Sequence, residues 1–553
     1  MEDYLWWRDG VIYQIYPRSF SDSNGDGLGD LNGITNKLDY LADLGVDAIW
    51  LSPFYPTPDK DFGYDISNYT DVDPRFGTLA DFDRLAAEAH RRGIRLVLDL
   101  ALNHTSDQHA WFVESKSSRD NPKADWYIWR DALTPGPFAK RPVGAPKGRW
   151  EHPNNWQSVF GGSGWKWSPE RGQFYFHTFL AEQPDVNWRN PETKEALLDV
   201  LRFWLERGAD GFRFDVFNVF FKDAQFRDNP SLLGIPFFFA QRHLHDYSQA
   251  EMMPLLNEMR ALLDSYPERY AVGETFFASA QKTAEYCGPD KLHAAFNFDF
   301  TYCNFRPGQF LGSIQQWEAA TGRDIWPNYV LGNHDIIRPA TRYGEGFFGG
   351  DRISLADFAS EDDARAKVLM ALLLTLRGTP FIYYGDEIGM RELFLPKREI
   401  MDPTGQRFWP LVKGRDGCRT PMQWDDSPNA GFSSARPWLR AHPDFRTRNV
   451  AVQQADPDSL LNLTRKLIQL RRAKPALRRG DFAAVARPPR GALAYRRELA
   501  GHPSILAALN FSARAVTLET PGTWTPLLEA APAQVRERCE LRPYGVRVLE
   551  EVR

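Results

Sequence analysis

Four short runs end in side chains able to perform acid–base and nucleophilic chemistry. They are DLALNH (Asp99, Asn103, His104), GFRFDVFN (Arg213, Asp215), VGET (Glu274) and GNHD (His334, Asp335). Each polar group closes an apolar, β-like stretch. In a strand, side chains i and i+2 share a face, so Arg213 and Asp215 point the same way. The guanidinium keeps Asp215 ionised and oriented, as an attacking carboxylate must be. Glu274, from a neighbouring strand, can approach the opposite side of the same bond. Burial near other carboxylates raises its pKa, which suits a proton donor. Two carboxyls about 5–5.5 Å apart can cleave a glycosidic bond with retention, and adjacent strands lie about 4.7–4.9 Å apart. One carboxylate at a strand end is as often an ion-pair or capping group; four clusters in order are not explained that way.

These groups need a frame that brings strand ends together. VIYQIY (11–16), VDAIWLS (46–52), IRLVLDL (94–100), DGFRFD (210–215), RYAVGE (269–274), HAAFNF (293–298), NYVLG (328–332) and TPFIYYG (379–385) read as strands. Helical stretches near 32–44 and 79–92 separate the first three. Eight strands with intervening helices predict an α/β fold, a closed (β/α)8 barrel whose catalytic rim lies at the C-terminal strand ends. The long interval after the third strand predicts an inserted domain at 105–182, rich in Trp, Pro, Gly and Asn. The barrel then comprises 1–104 and 183–477, with a lid-like excursion at 386–437. A helix near 458–473 leads into an alternating tail, 478–553, expected to be a C-terminal β-sandwich.

Composition narrows the class. The chain has 553 residues, with 67 Lys and Arg against 72 Asp and Glu, a net charge of −5 that argues against nucleic acid or an anionic membrane as partner. MEDYLWWRDG lacks the basic start and apolar run of a secretory signal. The run VLMALLLTL (368–376) is too short to span a bilayer. Cys287, Cys303, Cys418 and Cys539 form no C-x-x-C and no disulfide framework, so reduced thiols and a cytoplasmic location are expected.

The four runs, in order and location, resemble the conserved regions of the alpha-amylase family of glycoside hydrolases, across nearly the whole chain. The resemblance implies Asp215 as nucleophile, Glu274 as acid/base and Asp335 as transition-state stabiliser. It implies Asp99, His104, Arg213 and His334 as the shell around the first glucose. QPDVN (183–187) is similar to the QPDLN signature of the alpha-glucosidase and oligo-1,6-glucosidase branch, with Val186 in place of leucine. DFGYDISNY (61–69) supplies Asp61 and Tyr64, and GRDGCRTPMQW (414–424) supplies Arg415. In that branch the aspartate–arginine pair closes the site around a terminal glucose, implying exo action on small alpha-glucosides. NNWQSVFGG and FHTFL place Phe160 and Phe179 where the branch has sugar-contacting phenylalanines.

Linkage is read from two signals that oppose each other. Valine after the nucleophile, here Val216, resembles the alpha-1,6 type. FKDAQFRDNP (221–230) and the loop to YSQ resemble bacterial alpha-glucosidases of maltose-like substrates. The expectation is an alpha-glucosidase tolerant of alpha-1,6 bonds. The alternatives are an oligo-1,6-glucosidase, or a transglucosylase or isomerase of the sucrose isomerase or trehalose synthase type on the same scaffold. In DSNGDGLGD (22–30), Asp22, Asn24, Asp26, the Leu28 carbonyl and Asp30 offer oxygen ligands to a hard cation. Gly33 at the twelfth position departs from an EF-hand. The branch often holds structural calcium there. No organic cofactor is implied.

Overall fold

The computed structural model describes residues 4–133, 151–344, 361–529 and 534–552. Part of the expected inserted domain, 134–150, lies outside the described residues. Eight parallel strands form the central sheet: Ile12–Ile15, Ala48–Leu51, Arg95–Leu100, Gly211–Phe214, Tyr270–Gly273, Ala294–Ala295, Asn328–Val330 and Thr379–Tyr383. Hydrogen-bonded ladders run from the seventh strand through the eighth and first, then in order to the sixth. This is a nearly closed barrel.

The two-residue period of the strands sorts their side chains into two cores. Ile12, Ala48, Trp50, Val97, Val272, Val330 and Phe381 pack together in the barrel interior. Tyr13, Ile49, Leu51, Leu96, Leu98, Phe212, Phe214 and Ile382 join the larger core beneath the helices. The inward series Ile12–Gln14, Val97–Asp99 and Arg213 therefore passes from apolar to polar toward the C-terminal rim. Asp99 stands beside Arg213 in register, so the ion pair is set by the ladder itself.

Local chemistry fixes the helices. Thr78 and Asp81 form a reciprocal capping box at the start of Leu79–Arg91. Asn190 caps Pro191–Glu206, with proline at the first turn. The stretch expected as one helix at 32–44 is two, Leu31–Asn36 and Leu38–Leu44, broken at Lys37. The sixth strand is only two residues long, because Asn297 turns the chain into the helix Phe298–Thr301 by capping it.

After the third strand, Trp129–Arg130, Gln173–Phe176 and Trp165–Ser168 make a small antiparallel sheet. Its own core consists of Ile128, Trp156, Trp165, Trp167, Phe174 and Phe176, so these three tryptophans serve packing. The C-terminal strands, from Asp481–Ala484 to Val546–Glu551, form one continuous six-stranded hydrogen-bonded sheet. Tyr495, Ile505, Ala507 and Val548 face the barrel core. Leu506, Leu518, Trp524 and Leu549 fill a separate core of the domain.

Candidate active site

Backbone bonds lace the third, fourth and fifth strand ends together. The Asp215 amide donates to the Leu100 carbonyl (3.0 Å), the Glu274 amide to Phe214 (2.9 Å), and the Phe217 amide to Glu274 (3.1 Å). Gly273 makes this approach possible: a Cβ there would sit 2.3 Å from the Phe217 ring. Asp215 and Glu274 thus leave neighbouring strands side by side.

Arg213 organises the carboxylates. Its Nη1 donates to Asp99 Oδ1 (2.7 Å) and Asp215 Oδ1 (2.6 Å), and its Nη2 contacts Glu274 Oε2. Burial pushes the Asp215 carboxyl up to about 6; Arg213 opposes the rise and Asp99 adds to it. Burial likewise raises Asp99 against the pull of Arg213.

A second network holds Asp335. Its Oδ1 accepts from Arg419 (2.7 Å) and Arg415 (3.3 Å). Burial pushes its pKa up, but the permanently charged Arg415 and Arg419 overcome this and hold it well below the carboxylate range. Asp335 is therefore a fixed negative charge, with its side chain 34% exposed. Arg415 also donates to Asp61 (2.6 Å) and, through Nε, to Asp402 (2.6 Å). Asp402 caps the helix Pro403–Phe408 at the Gly405 amide, which ties the excursion after the eighth strand to the rim.

The histidines are neutral linkers. Burial brings His334 down to about 3. Gln14 donates to its Nδ1 (2.8 Å), so Nε2 carries the proton toward the Tyr64 hydroxyl (2.6 Å). Tyr64 in turn donates to Asp99 (3.0 Å). Burial also lowers His104, whose Nε2 lies 3.0 Å from the Gln183 amide nitrogen. Within QPDVN, Asp185 pairs with buried Lys222 (2.5 Å). That joins the QPDVN segment to the loop after the fourth strand.

Asp61, Tyr64, His104, Phe160, Phe179, Asp215, Val216, Glu274, Asp335 and Arg415 converge on one cavity of ≈ 200 Å³. Asp99, Arg213 and His334 lie behind it in the networks above. Val159, Phe276 and Thr404 complete the lining. Sequence reasoning missed these three, together with Gln14, Gln183, Asp402 and Arg419. Arg419 had a signal, since it stands four residues after Arg415 in the same motif. Val216 sits in the left-handed region (φ 31°, ψ 44°), which costs a β-branched residue of order 1–3 kcal/mol and is typical of strain held at functional positions.

Loop 22–30 is separate from this cavity. Asp22 accepts from the Asn24, Gly25 and Gly27 amides (3.0, 2.7 and 2.8 Å). Asp26 accepts from Leu28 (2.8 Å), and Asp30 caps the next helix at Gly33 (2.6 Å). The donors are all oxygens, which fits a hard cation. Among the described residues no three His, Cys, Asp or Glu side chains converge as a metal site.

Residues 14–480 match the family model for the alpha amylase catalytic domain. The chain belongs to the alpha-amylase family. It is 45% identical over 531 residues to a probable alpha-glucosidase of Rhizobium meliloti (strain 1021), covering 93% of this chain and 91% of the relative. It is 37% identical to an oligo-1,6-glucosidase of Parageobacillus thermoglucosidasius, covering 98% of each. Among solved structures, an alpha-glucosyl transfer enzyme superposes with a TM-score of 0.89 at 42% identity, covering 100% of both chains. The trehalulose synthase of Pseudomonas mesoacidophila gives 0.85 at 36% identity, covering 99% of this chain and 100% of that one. The chain is thus a glycoside hydrolase family enzyme built on the amylase-type barrel.

Proposed function

We propose that the protein is an exo-acting, retaining alpha-glucosidase that removes terminal non-reducing glucose from disaccharides and short oligosaccharides. The observation that carries this reading is the single guanidinium of Arg213, behind one wall of the cavity, contacting Asp99, Asp215 and Glu274. Asp215 attacks the anomeric carbon while Glu274 protonates the departing oxygen; Glu274 then activates water against the glucosyl ester. Asp335 binds the sugar hydroxyls and stabilises the cationic transition state. Asp61 and Arg415 close the far end, which supports exo action. A slow fluorinated glucoside is expected to label Asp215, detected by mass spectrometry of the digested protein. Labelling at another residue overturns the assignment.

Transglucosylation shares the same covalent intermediate and is the second reading, favoured by the names of the two structural relatives above. Val216 supports tolerance of alpha-1,6 bonds. The four cysteines are buried and free, in keeping with a reducing, cytoplasmic location. Among the described residues no helix is long and apolar enough to cross a membrane. We also propose that Asp22, Asn24, Asp26, the Leu28 carbonyl and Asp30 hold a structural calcium ion. Chelation should then lower the melting temperature and added calcium restore it; a melting temperature indifferent to both removes the site.

A further inference from the structure

The wall beside Glu274 does not stop at the cavity. Phe276 lines it, and Phe277, with its ring 4.4 Å from Phe276, turns outward and is 60% exposed. Phe277 leads to Phe239 (5.8 Å), also 60% exposed, and Phe239 to Phe237 (5.4 Å). Leu233, on the same loop, is 89% exposed. Residues 231–241 carry no charged side chain. A soluble chain rarely leaves contiguous large apolar side chains in water without a use for them.

The platform is also held rigidly. Asn218, three residues after the nucleophile, accepts from the Phe276 amide (2.8 Å) and donates to its carbonyl (2.9 Å). Phe277 is thereby kept in the left-handed region, at φ 51°, a conformation that aromatic residues rarely adopt. Beneath it, His243 packs at a tilt against Phe238 (4.2 Å) and stacks on Tyr247 (4.6 Å). Its ring nitrogens are engaged by Asp246 (2.8 Å) and the Phe238 carbonyl (3.1 Å). This expenditure of strain and packing orders rings that face solvent.

Position assigns the occupant. The opposite end of the cavity is closed by Asp61, Arg415 and Asp335. The group that leaves is the one Glu274 protonates, and it departs past Val216 and Phe276 toward these rings. We propose that the platform is an aglycone site for apolar aryl or alkyl groups. The enzyme then cleaves alpha-glucosides of such alcohols in preference to those with a small aglycone. The proposal rests on the alpha-glucosidase reading above. In the step concerned, the bond between C1 and the aglycone oxygen breaks and the bond from C1 to Asp215 forms. The proton of Glu274 passes to the released phenol or alcohol, and no oxidation occurs.

The test compares 4-methylphenyl and 4-butylphenyl alpha-D-glucosides, whose leaving groups are nearly equal in acidity. Partial burial of three further methylenes predicts kcat/KM ~10-fold higher for the butyl compound. Phe239→Ser and Phe277→Asn, the latter compatible with the left-handed backbone, should each bring that ratio to about 1–3. A wild-type ratio near one overturns the proposal, and so does a high ratio that neither variant moves. Sedimentation of the wild type and Phe239→Ser covers the other occupant. A dimer that dissociates in the variant would make the face a subunit interface and overturn the proposal. If maltose, isomaltose and both aryl glucosides all resist the folded enzyme, the alpha-glucosidase reading itself fails.

Discussion

At one end of the cavity Asp61, Arg415, Asp335, Arg419 and Asp402 form a chain of ion pairs. At the other, Val216, Val159 and Phe276 present apolar side chains. The first end can fix a sugar by directed bonds to its hydroxyls, and it fixes the charge state of Asp335 as well. The second recognises little beyond shape. The difference teaches where discrimination resides. A mismatch against buried polar groups leaves them unpaired and is strongly rejected, whereas an apolar wall shifts preference by only about 1–3 kcal/mol. Glucose should thus be stringently required, and the linkage loosely so.

The largest expected effect lies between the two ends. Glu274→Gln should lower kcat/KM roughly 10²–10⁴-fold on a sugar leaving group, by removing general acid catalysis. The loss should shrink with an aryl leaving group that needs no proton. An equal loss on both substrates would remove Glu274 as the acid. Arg415→Ala attacks the polar end alone. It leaves Asp61 and Asp402 without their main partner, which for a buried pair costs about 2–5 kcal/mol. A fall in kcat/KM of about 10²-fold is expected, alike for maltose and isomaltose because both present the same glucose. A selective loss on one disaccharide would show that Arg415 contacts the second sugar and that the two ends are not independent.

Acidity gives a smaller effect. Asp215 must be ionised to attack, and its pKa is raised to about 6. kcat/KM should therefore fall about tenfold per pH unit below that value and be flat just above it. Asp335, held far lower, should contribute no limb in this range. An acid limb near the ordinary aspartate value of about 4 would contradict the burial of Asp215. The smallest effect belongs to the apolar end. Val216→Thr should change the isomaltose-to-maltose ratio about tenfold, with little change in the requirement for glucose. An unmoved ratio would take linkage preference away from this residue.

The same contrast governs what was legible in the sequence. Asp99, Arg213, Asp215 and Glu274 lie in or directly after strands whose two-residue period is written locally, so their placement could be read; Asp335 stands in a loop beyond its strand and is read from the run GNHD. The eight strands could be read for the same reason, although the helix expected at 32–44 breaks at Lys37. Asp402 reaches Arg415 across a folded excursion, Gln14 meets His334 across the barrel, and Gln183 meets Asp61 across more than a hundred residues of chain. No local pattern encodes such meetings, because they depend on which loops the barrel rim brings together. The apolar platform at Phe239 and Phe277 was equally hidden. A run of aromatics reads as core until the exposure of each ring is known.

The adjacency of Asp215 and Glu274 has a stereochemical consequence that one measurement reaches directly. Proton NMR of the first glucose released, recorded before mutarotation, should show the alpha anomer. The beta anomer would mean a single inverting displacement by water, and would contradict the covalent role assigned to Asp215.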